Sequence, residues 1–174
     1  MIIDIKKLNK QGYSTNQICN DFDTRKQELI LLPTEKCNFR CSYCYEDFRV
    51  GKMKPWLVDS IKTFISNRVK SIDYLSLGWF GGEPLIAKKI CLDIIKHSFK
   101  ECEKNNVFLK GSFTTNGYFL TKPLVEELSK YNHASFQVTL DGYGEDHDVT
   151  RVSVNGKGTF DTVWSNILSA EFES

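Results

Sequence analysis

Glu28-Leu29-Ile30-Leu31-Leu32-Pro33-Thr34-Glu35-Lys36-Cys37-Asn38-Phe39-Arg40-Cys41-Ser42-Tyr43-Cys44 is the stretch on which the reading of this chain turns. Its first half is a short apolar run stopped by a proline, the pattern of a buried parallel strand. Its second half is a loop carrying three cysteines at spacings of four and three. Thiolates so spaced converge from one short turn and suit a soft metal or an iron–sulfur cluster. A [4Fe–4S] cluster normally takes four cysteines, so three would leave one iron open to a ligand that is not protein. The spacing leaves two other readings. A structural zinc ion needs four protein ligands, and only a distant residue such as His147 could complete the set. Three unligated thiols are the last reading.

Outward from that stretch the chain alternates. Leu57, Ile61, Phe64, Ile65 and Val69 recur at helical spacing behind Pro55, and Tyr74 to Phe80 reads as a second strand ended by Gly81-Gly82. Leu85, Ile86, Ile90, Ile94, Ile95 and Phe99 mark the next helix, which ends around Asn105-Asn106. Val107 to Thr115 is a third strand closed by Asn116-Gly117. A third helix follows, with Thr121 as its cap, Pro123 in its first turn and Leu124, Val125 and Leu128 facing inward. Ser135 to Leu140 is the fourth strand, ended by Asp141-Gly142. Phe160, Val163, Trp164, Ile167 and Leu168 mark a fourth helix with Thr159 as cap. Strands and helices in this order imply βαβ units, a parallel sheet and right-handed crossovers. Residues 1–28 are weakly patterned, with a short strand expected at Ile2 to Ile5, and read as an N-terminal extension to one domain over 29–174. Cys91 and Cys102 fall on a helical stripe and read as small buried hydrophobes.

Ligands of parallel βα architectures bind beyond the carboxyl ends of the strands. Each predicted strand ends in a loop with chemical potential: the cysteines, then Trp79-Phe80-Gly81-Gly82-Glu83-Pro84, then Thr114-Thr115-Asn116-Gly117, then Thr139-Leu140-Asp141-Gly142. Gly81-Gly82 lets backbone approach a ligand closely, and Glu83 adds a charge suited to a cation. Arg151 can clamp a carboxylate. Taken singly, these are ordinary turn dipeptides, strand threonines and surface arginines.

Composition excludes some classes. The 174 residues are 41% apolar and 26% charged with a net charge of +1, which gives no electrostatic case for nucleic acid or an anionic membrane. The start Met1-Ile2-Ile3-Asp4-Ile5-Lys6-Lys7 is too short and too charged for a signal peptide or a span. Six cysteines without a secretory signal imply a reducing, cytoplasmic setting, without disulfides.

In order as well as in type, these loops resemble the radical S-adenosylmethionine (SAM) enzymes, from about Leu29 to Ile167. The resemblance implies a partial (β/α) barrel of about four βα units, with a [4Fe–4S] cluster and SAM as cofactors. It implies Cys37, Cys41 and Cys44 as cluster ligands and Tyr43 against the adenine. Gly81, Gly82, Glu83 and Pro84 would meet the methionyl amine, Thr139 the ribose or carboxylate, and Arg151 the carboxylate. Asn116, in Thr115-Asn116-Gly117, joins the cofactor-binding set. The activity implied is reductive cleavage of SAM to a 5′-deoxyadenosyl radical that abstracts hydrogen from a substrate. Cys44-Tyr45-Glu46, the Trp79–Pro84 run, Thr115-Asn116-Gly117 and Leu140-Asp141-Gly142 with His147-Asp148 resemble the branch of sulfatase maturases and ribosomal-peptide modifiers. That branch implies a peptide or protein substrate, an electron donor such as a flavodoxin, and a cysteine-rich SPASM or twitch domain.

Two departures temper this. The family barrel generally has six βα units and the sequence offers four, and no cysteine follows Cys102. The expectation is therefore a portion of a longer enzyme, with an open strand-four edge covered by self-association or by a partner chain. A cluster- and SAM-binding fragment without turnover, and a zinc-stabilised α/β module, are the alternatives.

Overall fold

A computed structural model describes residue 12, residues 14–15 and residues 23–170. The strand expected at Ile2 to Ile5 and the thiol of Cys19 lie outside them. Four strands pair in parallel in the order β1-β2-β3-β4. They are β1 (Lys26–Leu31), β2 (Tyr74–Trp79), β3 (Phe108–Thr115) and β4 (Ser135–Val138). Between and after them run α1 (Pro55–Arg68), α2 (Lys88–Asn105), α3 (Lys122–Ser129), α4 (Glu145–Thr150) and α5 (Phe160–Ser169). Among the described residues the sheet is not closed, in keeping with a partial βα barrel.

Alternation along the strands makes the core. Leu75, Leu77 and Trp79 of β2 and Leu109 and Phe113 of β3 are buried under the helices, joined by Ile65 of α1 and Ile94 and Ile95 of α2. The register puts Trp79 opposite Phe113 and Phe113 opposite Phe136. Their rings stack in a row across three strands, with centroids 5.7 and 6.0 Å apart. Such cross-strand aromatic pairs hold register, because a one-residue slip would turn every one of these rings to the other face. Cys91 and Cys102 are buried on α2, in line with the reading as core residues.

Helix ends agree with expectation at Pro55 and Asn106 and depart from it elsewhere. Pro55 occupies the first turn of α1, and Asn106, at φ 56°, closes α2 with its N–H on the Cys102 and Glu103 carbonyls. Leu85 and Ile86, expected in α2, lie in a separate 3-10 turn, Pro84–Ala87. Neither Thr121 nor Thr159 caps its helix through a side chain. The Thr159 hydroxyl instead donates to the Arg151 carbonyl at 2.7 Å, and Asp148 Oδ1 accepts the N–H groups of Thr159 and Phe160 at 2.6 and 2.9 Å. Strand β4 stops at Val138, opposite Thr115, where its pairing with β3 ends, so Thr139 and Leu140 belong to the following loop. The short helix α4 went unread, although Gly144 followed by Glu145 and Asp146 is an acidic helix start. Among the described residues no helix is long and apolar enough to cross a membrane.

Candidate functional site

The segments that follow all four strands meet at one rim. The loop after β1 is pinned by backbone bonds that no local pattern announces. Gly82 N–H donates to Thr34 O at 3.2 Å and Glu83 N–H to Lys36 O at 3.0 Å. A side chain at Gly82 would run into the Glu35 carbonyl, and Gly81, at φ +112°, would bring a Cβ within 2.6 Å of Thr34 O. Both glycines are thus required for the two loops to touch.

The cysteine loop is also paired, in an antiparallel sense, with the segment after α4. Arg40 N–H donates to Val152 O (2.8 Å), Ser42 N–H to Thr150 O (3.0 Å) and Val154 N–H to Asn38 O (2.9 Å). Residues 150–154 therefore form a strap across the thiol-bearing turn, and the bonds of Asp148 and Thr159 tie that strap to α5. Phe39, 1% exposed, fills the space beneath, with the Arg151 guanidinium 5.8 Å from its ring centre.

One cavity, about 160 Å³, is lined by Cys37, Cys41, Tyr43, Cys44, Gly81, Gly82, Asn116, Thr139 and Arg151, together with Phe39, Phe80, Thr114 and Thr115. It thereby gathers every candidate residue except Glu83 and Pro84. A larger cavity, about 690 Å³, has a mostly apolar wall including Leu85, Ile90, Tyr118 and Phe119 and contains none of the candidates. The smaller one has the convergent polar groups that a binding site needs.

Tyr43, Asp141, Thr150 and Arg151 form a network at the mouth. Tyr43 Oη donates to Asp141 Oδ2 at 2.6 Å, Thr150 Oγ1 donates to the same oxygen at 2.7 Å, and Arg151 Nη1 donates to Tyr43 Oη at 2.6 Å. Arg151 lies 3.9 Å from Asp141 Oδ1, a looser contact. Burial pushes the Asp141 carboxyl up, but the donors from Tyr43 and Thr150 and the Arg151 charge outweigh it and leave the pKa below the ordinary value. Burial and the Asp141 bond raise the Tyr43 phenol. Arg151 is 7% exposed, and its Nε has no hydrogen-bond partner among the described residues.

Glu83 takes a different place from the one its motif suggests. It is fully buried, and its carboxylate turns toward the end of β3 rather than into the cavity. It accepts from Leu85 N–H (3.0 Å), Thr115 Oγ1 (2.8 and 3.0 Å) and Asn116 N–H (2.8 Å). Burial raises its pKa against the pull of these donors. His147 is fully buried too, with Nδ1 accepting from Asp141 N–H at 3.4 Å and Nε2 3.2 Å from Thr159 Oγ1. It is bound into the loop and is no fourth ligand for the thiols.

Among the described residues no three His, Cys, Asp or Glu side chains are gathered closely enough for a single metal ion. A zinc site requires such a point, whereas a [4Fe–4S] cluster spreads its thiolates over separate irons. Three thiols on one loop, each at the wall of one cavity, fit the latter. Burial raises the thiols of Cys37 and Cys41, and the Phe39 N–H and the Arg151 charge respectively work against it.

Sequence reading quoted Asp141 and Asp148 only within turn motifs and the motif of the resemblance and gave neither of them, nor Asn38, a role in the site. Each acts through a partner many residues away, and the Asp-Gly at 141–142 announces only a turn.

Comparison with known proteins gives a consistent answer. Residues 31–170 match the model of the Radical SAM superfamily. A cysteine-type anaerobic sulfatase-maturating enzyme of Clostridium novyi is 30% identical over 80% of this chain and 38% of its own length. A GTP 3′,8-cyclase of Clostridium perfringens is 34% identical over 77% of this chain and 39% of its own. The solved structure of anSMEcpe with bound AdoMet and the Kp18Cys peptide superposes with a TM-score of 0.69 at 23% identity, over 82% of this chain and 40% of that one. The chain thus spans about two fifths of the length of these relatives.

Proposed function

The chain belongs to the radical SAM superfamily, an enzyme family whose cofactors are a [4Fe–4S] cluster and SAM, and from that premise we propose that it carries the cofactor site of an enzyme that modifies a peptide or protein. The observation that carries the reading is the single cavity in which three thiols, a glycine pair and a buried arginine meet at the carboxyl ends of parallel strands.

Cys37, Cys41 and Cys44 would hold the cluster. When bound and reduced, the cluster supplies an electron to SAM, whose cleavage gives methionine and a hydrogen-abstracting 5′-deoxyadenosyl radical. The rest is done by this chain's own groups. Arg151, whose buried Nε has no partner among the described residues, takes the SAM carboxylate. The backbone at Gly81 and Gly82 receives the ammonium, with Glu83 bracing β3 from behind and Pro84 starting the turn that follows. Tyr43, fixed by Asp141, lies along the adenine, and Thr139 meets the ribose. Phe39 and Phe80 keep water from the thiols. An external low-potential donor of the flavodoxin kind supplies the electron.

The peptide reading is supported by the similarity to the sulfatase-maturating enzyme and by the peptide held in anSMEcpe. The GTP cyclase similarity favours a second reading, a small nucleotide substrate, on the same cofactor site. A cofactor-binding chain that turns over only with a partner is the third.

The test is anaerobic. Protein reconstituted with iron and sulfide, reduced with dithionite and given SAM, is expected to release 5′-deoxyadenosine and methionine. SAM returned intact by cluster-loaded protein overturns the proposed activity for this chain alone. Incubation with cysteine-containing peptides or with GTP then separates the two substrate classes.

A further inference from the structure

We propose that the side-chain amide of Asn116 donates a hydrogen bond to the Cys37 sulfur and thereby sets the reduction potential of the cluster. The inference rests on the reading above that Cys37 is a cluster ligand.

Asn116 Nδ2 lies 3.7 Å from Cys37 Sγ and 2.9 Å from Asn38 Oδ1. Its other amide atom, Oδ1, accepts from the Tyr118 N–H at 3.0 Å. An exchange of the two would set an NH₂ group against the Tyr118 N–H, so the network assigns the nitrogen to the sulfur side. The backbone of the same residue is fixed, because its N–H donates at 2.8 Å to the buried Glu83 carboxylate. That carboxylate also holds the Thr115 hydroxyl. Asn116 itself is 6% exposed. The donor is thus pre-aimed by the Tyr118 N–H and the Glu83 carboxylate, residues outside the cavity lining.

Cys37 Sγ receives a second donor, the Phe39 N–H at 3.3 Å. Reduction of a cluster adds negative charge that is shared with its sulfurs, so a donor at a ligand sulfur favours the reduced state and raises the potential. Asn116 is on this account a positioning and tuning residue. Glu83, buried behind it, serves the same sulfur at one remove.

Asn116→Asp keeps an oxygen for the Tyr118 N–H and replaces the donor facing sulfur by an acceptor. Asn116→Ser removes the donor without adding charge. Iron and sulfide contents equal to wild type are expected in both. In an EPR-monitored redox titration without SAM, the ratio of reduced to oxidised cluster at the wild-type midpoint is expected to fall about fivefold in the serine variant, the effect of losing about 1 kcal/mol, and further in the aspartate variant. Unchanged midpoints in both variants overturn the inference and leave the cluster reading intact. Loss of the cluster in both, with wild type loaded, makes Asn116 a builder of the loop and likewise overturns the tuning role. Wild-type protein that takes up no cluster removes the premise and the inference together.

Discussion

Tyr43 and Asp141 stand 98 residues apart in sequence and are joined by a 2.6 Å hydrogen bond, phenol to carboxylate. The bond connects the cysteine loop after β1 to the loop after β4. It orients a ring that is otherwise 56% exposed, with the Arg151 guanidinium on the same phenolic oxygen. Tyr43→Phe removes the clamp and keeps the ring. The expected result is SAM binding weakened about fivefold, the worth of roughly 1 kcal/mol for a partly exposed bond, with cluster content unchanged. Calorimetric titration of SAM into the loaded protein is the check.

Arg151 is the other half of that mouth. Arg151→Lys keeps the charge but loses the planar fork and the buried Nε. SAM affinity is expected to fall about tenfold or more, while iron and sulfide stay at wild-type levels. Equal loss of iron would move Arg151 from the cofactor's carboxylate to the cysteine loop.

Gly82→Ala tests the close approach of two loops. The added Cβ meets the Glu35 carbonyl and the Lys36 oxygen, both backbone atoms that cannot swing aside. A cost of about 1–3 kcal/mol is expected, read as a lower urea midpoint of the unloaded protein, together with poor cluster uptake.

Two buried histidines make stability depend on pH. Burial lowers the pKa of both His133 and His147, and among the described residues His133 Nε2 has no hydrogen-bond partner to accommodate a proton. With the folded pKa below the unfolded one, their contribution is full above the unfolded pKa, about 6.5. It is lost as pH falls below that value toward the folded pKa. Urea midpoints are expected to drop between pH 7.5 and pH 5.5. His133→Gln, which cannot protonate there, is expected to flatten part of that slope.

The open sheet predicts association. β4 is the last strand in the sheet order β1-β2-β3-β4, and a strand at the edge of a sheet is a template for another strand. Sedimentation at increasing concentration is expected to show dimers or larger species, and a monomer throughout would contradict it.

Much of this was legible in the sequence, for reasons that also mark the limit. Period-two burial along Leu75, Leu77 and Trp79 and helical spacing through Ile94 and Ile95 reveal the βα order, because each element must bury one face. The cysteines, Gly81-Gly82, Asn116 and Thr139 could be placed on one rim, because parallel strands deliver their following loops to the same end. What the sequence did not disclose is the direction of individual polar groups. Glu83 follows two glycines beside a cavity, yet its carboxylate turns away to the donors at Thr115 and Asn116, more than thirty residues on. His147, a candidate ligand by type, is consumed by Thr159 and the Asp141 N–H. The strap over the cysteine loop depends on pairing between residues 38–42 and 150–154, which no local pattern encodes.

The central claim is that Cys37, Cys41 and Cys44 hold a cluster with one iron left for SAM. Anaerobic reconstitution followed by EPR of the reduced protein, with and without SAM, addresses it most directly. A [4Fe–4S] signal that changes shape on adding SAM, and that Cys41→Ala abolishes, is the predicted result. A cluster blind to SAM, a full cluster in Cys41→Ala, or zinc without iron and sulfide would contradict it.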